Sequence, residues 1–218
     1  MIHTLIFDAP AWNRREIKRY ARIQGTEITY DTLIDDCIAE AGSALSYRVC
    51  YSILPVNTEN NVLYLGNIPS PYQTIIKAIR DAQEVLLFAA TVGAPFDRLI
   101  QRYSLLEPSK SLILQAIGAE RAESLCDAFC ERMNTELSAA EKCLTPRVSP
   151  GYGDIPLEMQ KNIFSVLDCP RKIGLTLDSS LMMSPSKSVT AIAGIVDGCD
   201  KQLERCKDCE KIDCLFRK

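Results

Sequence analysis

Two periodicities alternate along the chain, and their order predicts most of its elements. Asn13 is placed to cap a helix over Arg14–Gln24, with Gly25 as its stop, although the apolar face is thin (Ile17, Tyr20 and Ala21). Ile34, Cys37, Ile38 and Ala41 recur at i, i+3, i+4 and i+7 and predict a second helix over Asp31–Ala41. From Tyr47 to Val56 the pattern changes to alternation, with Tyr47, Val49, Tyr51 and Ile53 on one face of a strand. Asn57–Asn61 reads as a turn and Val62–Leu65 as the returning strand of a hairpin. Pro71 opens a helix to about Ala82. The run Glu84–Val92 is nearly all apolar, so it predicts a strand buried on both faces and stopped by Gly93. A short helix fits Pro95–Tyr103.

The longest helical pattern covers Ser109–Leu137, with Leu112, Ala116, Ala119, Ala122, Cys126, Phe129, Met133 and Leu137 as its buried stripe. Glu123 lies beside that stripe. A carboxylate near an apolar face costs free energy unless it is paired or poised against a cationic ligand. The segment PRVSPGYGDIPLEMQ, residues 146–160, carries Pro146, Pro150, Gly151, Gly153 and Pro156, which preclude regular structure over its first half. A helix then starts at Pro156 and shows Leu157, Gln160, Ile163, Phe164 and Leu167 on one face. Ile173–Leu177 and Ser188–Ile195 alternate as strands, joined by the loop SSLMMSPSK. No internal repeat is visible.

Composition then narrows the class. Of 218 residues, 47% are apolar and 24% charged, the mix of a folded globular chain rather than a disordered one. The net charge of −3 and a pI near 5.4 favour neither nucleic acid nor an anionic membrane as partner. No apolar run approaches the ~20 residues that span a bilayer. The first residues meet an acid and Trp12 after a very short apolar stretch, so they do not read as a signal peptide, and a cytoplasmic setting is expected. The single histidine, His3, excludes Ser–His–Asp triads and His-rich zinc sites unless His3 itself serves. Ten cysteines in such a setting favour free thiols or metal ligation over a disulfide framework.

Two constellations could carry chemistry. In the loop RVSPGYGD, Arg147 offers a planar charged fork suited to a carboxylate, Tyr152 a flat face and a hydroxyl, and the glycines an accessible backbone. The plainer alternative is a surface turn with an incidental arginine. The last twenty residues, Cys199–Lys218, differ in kind: four cysteines and eleven charges with few core residues. The spacing Cys199-x6-Cys206-x2-Cys209-x4-Cys214 can supply four thiolates to zinc or to an iron–sulfur cluster; the alternative is four free thiols. Cys126 and Cys130 share a helix face and read as packing, as do Cys37, Cys50, Cys143 and Cys169, which show no motif spacing. Trp12 also reads as packing.

The residues PRVSPGYGDIPLEMQKNIFSVLD followed by IGLTLDSSLMMSPSKSVTAIAG resemble the S-adenosylmethionine-binding activation domain of cobalamin-dependent methionine synthase. They carry that family's Arg-x-x-x-Gly-Tyr loop, helix, Leu-Thr strand, Met-x-Pro loop and Ser-Val strand in the same order, and AESLCDAFCERM is similar to its long helix. The resemblance runs from about Ala122 to Gly194. It implies an α+β fold with a twisted, mainly antiparallel sheet and flanking helices over residues 1–198, with 199–218 as a Cys-rich appendix. It further implies that Arg147 holds the carboxylate of S-adenosylmethionine, that Ser149 and Gly151 contact it through the backbone, that Tyr152 lies against it and that Glu123 faces its positive charge. Met182, Met183 and Pro185 match the Met-x-Pro loop, which would face the ligand or a corrinoid partner, although methionine also fills gaps in cores. An Asp-x-His-x-x-Gly cobalamin signature is absent, so the corrinoid would be carried by a partner methionine synthase or related corrinoid protein. The expected role is a stand-alone accessory protein that returns inactive cob(II)alamin to the methylated state with the help of an electron donor. A docking module that only caps a corrinoid protein and a redox protein built on the cysteine tail are the alternatives.

Overall fold

The computed structural model describes residues 1–23, 28–60, 62–79 and 81–198. Along the chain lie β1 (His3–Phe7), α1 (Arg14–Tyr20), α2 (Ile28–Ala41), β2 (Tyr47–Glu59), β3 (Val62–Leu65), β4 (Ile68–Pro69), α3 (Gln73–Ile79) and β5 (Glu84–Thr91). They are followed by α4 (Ala94–Leu106), α5 (Pro108–Ser138), β6 (Lys142–Leu144), α6 (Met159–Leu167), α7 (Cys169–Ile173), β7 (Thr176–Leu177), β8 (Met183–Ser184) and β9 (Ser188–Asp197).

The main sheet has the order β4-β3-β2-β5-β9-β6, and every pairing is antiparallel. β2 is long enough to serve two partners on one edge: β1 pairs with Tyr47–Tyr51 and β3 with Val56–Glu59. This is the α+β architecture expected. β5 divides the core by its alternation. Leu86, Phe88 and Ala90 face a layer built on α1, α2, α4 and α5, whereas Val85, Leu87 and Ala89 face α3, α6 and α7. A strand with helices on both sides must be apolar throughout, which is why EVLLFAATV shows no polar alternation.

Several boundaries differ from the sequence reading, each for a local reason. The Asn13 side chain caps α1 as expected, accepting from Glu16 N–H, but the helix closes at Tyr20 because Arg22 turns left-handed at φ 55°. β1 and β6 are short strands that the pattern did not reveal. Residues 173–177 are not one strand: Pro170 opens α7, Gly174 at φ 70° closes it, and only Thr176–Leu177 pair, with β8. The apparent alternation comes from Ile173 and Leu175 both entering the lower core. α6 starts at Met159 rather than Pro156, and α3 is shorter than Pro71–Ala82. In α5 the stripe is broader than expected and rotated. Leu112 is 55% exposed, while Ile113, Leu114, Ile117 and Leu125 are buried, because the helix packs against α1, α2, α4 and the sheet at once. Cys37, Cys50, Cys126 and Cys169 are buried and free, in line with packing roles.

One ion pair lies in the middle of this packing. Arg121 and Glu120 on α5 are both buried and joined to each other. Arg121 also donates to the carbonyls of Pro10 (2.6 Å) and Ala11 (2.8 Å), and Trp12 stacks on its guanidinium at 4.0 Å. Glu120 accepts from Asn13 N–H at 3.2 Å and from the Ser124 hydroxyl at 2.7 Å. The pair therefore clasps residues 10–13 to α5 and sets where α1 begins. Removing one partner leaves a buried charge unmatched. Arg121→Met is expected to destabilise the fold by about 3–5 kcal/mol in urea unfolding, and Glu120→Leu with Arg121→Met together to recover most of that loss.

Candidate functional site

The Arg147 loop leaves the sheet at the outer edge of β9. β6 covers that edge only at Ile195–Asp197. Thr145 then donates its N–H to the Gly194 carbonyl (2.9 Å) and accepts Gly194 N–H on its hydroxyl (2.8 Å). Val148 and Ile192 exchange both backbone bonds at 2.9 Å. Pro150, two residues on, has no N–H to continue the ladder. By strand alternation Thr190 presents its N–H and C=O on the same edge as Ile192, beyond the last ladder bond.

Residues 149–152 form a type II turn. Tyr152 N–H donates to the Ser149 carbonyl at 3.2 Å, Pro150 presets the first central position, and Gly151 supplies φ 88° at the second. Gly151 N–H is itself taken by the Ile155 carbonyl (2.9 Å), and Ile155 is buried in the lower core. The amides of Gly151 and Tyr152 thus hold the loop's own shape, where the sequence suggested an open backbone. Tyr152 projects outward, 71% exposed. The far end of the loop is fixed to α3: Asp154 accepts from the N–H groups of Gln73 (2.7 Å) and Thr74 (3.0 Å), and a Cβ on Gly153 would collide with Thr74 Oγ1.

Arg147 points to the α5 face. Its Nη2 donates to Glu123 Oε2 at 2.7 Å and its Nη1 to Asp127 Oδ1 at 2.6 Å. The guanidinium side chain is only 8% exposed, whereas Glu123 and Asp127 are 47% and 53% exposed. Burial works against the arginine's charge, but the carboxylates of Asp127 and Glu123 around it outweigh that and keep its pKa above the ordinary arginine value. The expectation that Arg147 stands as an open fork is corrected here: both terminal nitrogens already hold carboxylates. Glu123 is where its odd position implied, paired to a cation, and the cation is Arg147.

Two side chains join this cluster that the sequence reading passed over. Asp127 lies one helical turn after Glu123, a spacing visible in the sequence once Glu123 was singled out. Tyr20, on α1, has its phenol pKa pushed up by burial and by Glu123; no local signal in the sequence could have linked them. On the neighbouring loop, Asp97 at the start of α4 accepts Ser186 N–H (2.6 Å) and the Ser186 hydroxyl (2.9 Å). Of the Met-x-Pro residues, Met182 is exposed, Met183 partly buried against the lower core and Pro185 buried. His3 stacks on Tyr51 at 5.0 Å and joins no polar cluster. Among the described residues no group of three or more His, Cys, Asp or Glu side chains is arranged to hold a metal ion. Cys199, Cys206, Cys209 and Cys214 lie outside the described residues. No helix among the described residues is long and apolar enough to cross a membrane.

Comparison with known proteins gives a consistent result. Residues 75–197 match the family model of the vitamin B12-dependent methionine synthase activation domain. The crystal structure of the MetH reactivation domain bound to AdoHcy superposes with a TM-score of 0.63 over 89% of this chain and 78% of that one, at 14% identity. That likeness establishes the fold. No curated protein sequence matches.

The loop anchor has a pH signature. The Thr74 side chain and the N–H groups of Thr74 and Gln73 hold the Asp154 carboxyl below its ordinary pKa. Stability from the ionised cap is therefore present above the unfolded value of about 3.9 and is lost as pH falls through the lower folded value. Asp154→Ala is expected to lower the thermal midpoint at neutral pH, with the difference from wild type shrinking as pH falls below the unfolded value of about 3.9.

Proposed function

The chain belongs to the family of vitamin B12-dependent methionine synthase activation domains, and from that premise we propose that it binds S-adenosylmethionine at the Arg147 loop to support reductive methylation of an inactive corrinoid held by another polypeptide. The observation that carries this reading is the Glu123–Arg147–Asp127 cluster beside a rigid Pro-Gly turn. A methionine-type ligand brings an ammonium, a carboxylate and a sulfonium. Half-exposed carboxylates suit its cations. Arg147 suits its carboxylate if that group displaces an acid from one terminal nitrogen, an exchange that swaps one carboxylate partner for another while the half-exposed acid returns to water. Ser149 and Gly151 line the turn, and the exposed Tyr152 can fold over the rest of the ligand. The AdoHcy held by the MetH reactivation domain supports a ligand of this class.

The corrinoid supplies the metal centre that receives the methyl group, after an electron donor has reduced it; the chain binds and orients the methyl donor. That the only histidine is His3 supports a corrinoid held elsewhere, on a methionine synthase or related protein. In this reading Cys199, Cys206, Cys209 and Cys214 hold a metal. Four thiolates with one Cys-x2-Cys pair suit an iron–sulfur cluster or zinc, and a cluster would provide an electron relay on the same chain.

Titration calorimetry tests the ligand. Wild type is expected to bind S-adenosylmethionine, and Arg147→Ala to weaken it by about 1.5–3 kcal/mol, the scale of a charge-assisted hydrogen bond. Absence of binding by wild type would leave the docking-module reading. For the tail, Cys206→Ser with Cys209→Ser is expected to abolish bound metal, measured by metal analysis and visible absorbance after oxygen-free purification, while the circular dichroism of the sheet stays unchanged.

A further inference from the structure

We infer that Asp127 is a specificity-determining residue that makes this site favour a sulfonium ligand over the neutral thioether left when the methyl group departs; the inference rests on the reading of the site given above. Asp127 and Glu123 follow each other at i, i+4 on α5 and take the two terminal nitrogens of a single guanidinium. One cation between two carboxylates leaves one net negative charge. The arginine is nearly closed off, so its charge is directed inward, while both carboxylates reach solvent. The uncompensated charge therefore lies on the solvent side of the cluster.

The surrounding groups do not cancel it. Tyr20 keeps its phenol proton, since burial and Glu123 push its pKa up. Arg19, which lies over the Tyr20 ring, is paired with Glu16. Cys126 is a buried thiol whose pKa burial raises, so it stays neutral.

S-adenosylmethionine and its demethylated product share an ammonium and a carboxylate. They differ by the departing methyl group and the sulfonium charge it confers. Contacts of Arg147 with the carboxylate and of Glu123 with the ammonium serve both ligands equally, and so does any displacement of Asp127 from the guanidinium. An unneutralised negative charge acts on the charge difference. At about 6 Å and an effective dielectric of about 40–80, one such charge changes the preference by about three- to tenfold. The same charge eases product release, because the ligand loses its positive charge when the methyl group leaves.

The test is calorimetric titration of S-adenosylmethionine and S-adenosylhomocysteine into wild type, Asp127→Asn and Asp127→Glu. Asparagine keeps the shape and an acceptor for Arg147 but removes the charge; glutamate keeps the charge. The wild-type preference for the sulfonium ligand is expected to fall by about three- to tenfold in Asp127→Asn and to persist in Asp127→Glu. Binding of both ligands by wild type with the same ratio in Asp127→Asn overturns the inference alone. Binding of neither ligand by wild type overturns the reading of the site and the inference with it.

Discussion

Burying the Arg121 guanidinium obliges the N-terminal segment to meet α5. Glu120 satisfies only part of the donor fork, and the remaining N–H groups need the carbonyls of Pro10 and Ala11. Without them a charged group in the core would carry unmet donors, at a cost of several kcal/mol. The requirement reaches further than the clasp. Once residues 10–13 are held, Asn13 caps α1 and α1 packs along α5, which brings Tyr20 beside Glu123. A constraint in the core thus shapes one wall of the surface site.

The same helix carries a second ionic cluster one turn further on, with the opposite character. Glu120 and Arg121 are sealed and saturated, and such a pair suits registry. Glu123 and Asp127 are half in water, and their arginine is tethered through Val148 to β9. The first cluster is closed to solvent; the second is open to it on its acidic side. α5 therefore acts as a rigid scaffold that presents adaptable groups at its solvent side, and the loop that completes the site is fixed at both ends, by Val148 to the sheet and by Asp154 to α3.

Much of the fold was legible because burial leaves a periodic trace. The double-sided burial of β5, the β2–β3 hairpin and the extent of β9 could be read from apolar spacing alone. β1 and β6 were not, since both lie at positions where few of their residues face a core and so carry little alternation. The strand expected over residues 173–177 was a misreading because Ile173, which ends α7, and Leu175 beyond it both enter the core and imitate alternation. At the site, Glu123 drew notice by being a carboxylate beside an apolar stripe, and Arg147 by its loop. Their direct pairing was not legible, because it joins residues 24 apart through the geometry of the sheet edge. Tyr20 was hidden for the same reason at longer range.

Pro150 has a consequence for the behaviour of the molecule among its own copies. An exposed strand border with free amides is a template for another chain, and proteins protect such borders. Here the ladder on β9 stops at Val148 because the proline ring cannot donate, and the turn that follows lifts the backbone away. The one position beyond that ladder, Thr190, is 2% exposed and so closed to an intruding strand. One imino acid thus ends the border where the backbone is already covered, which guards the chain against pairing with its own copies.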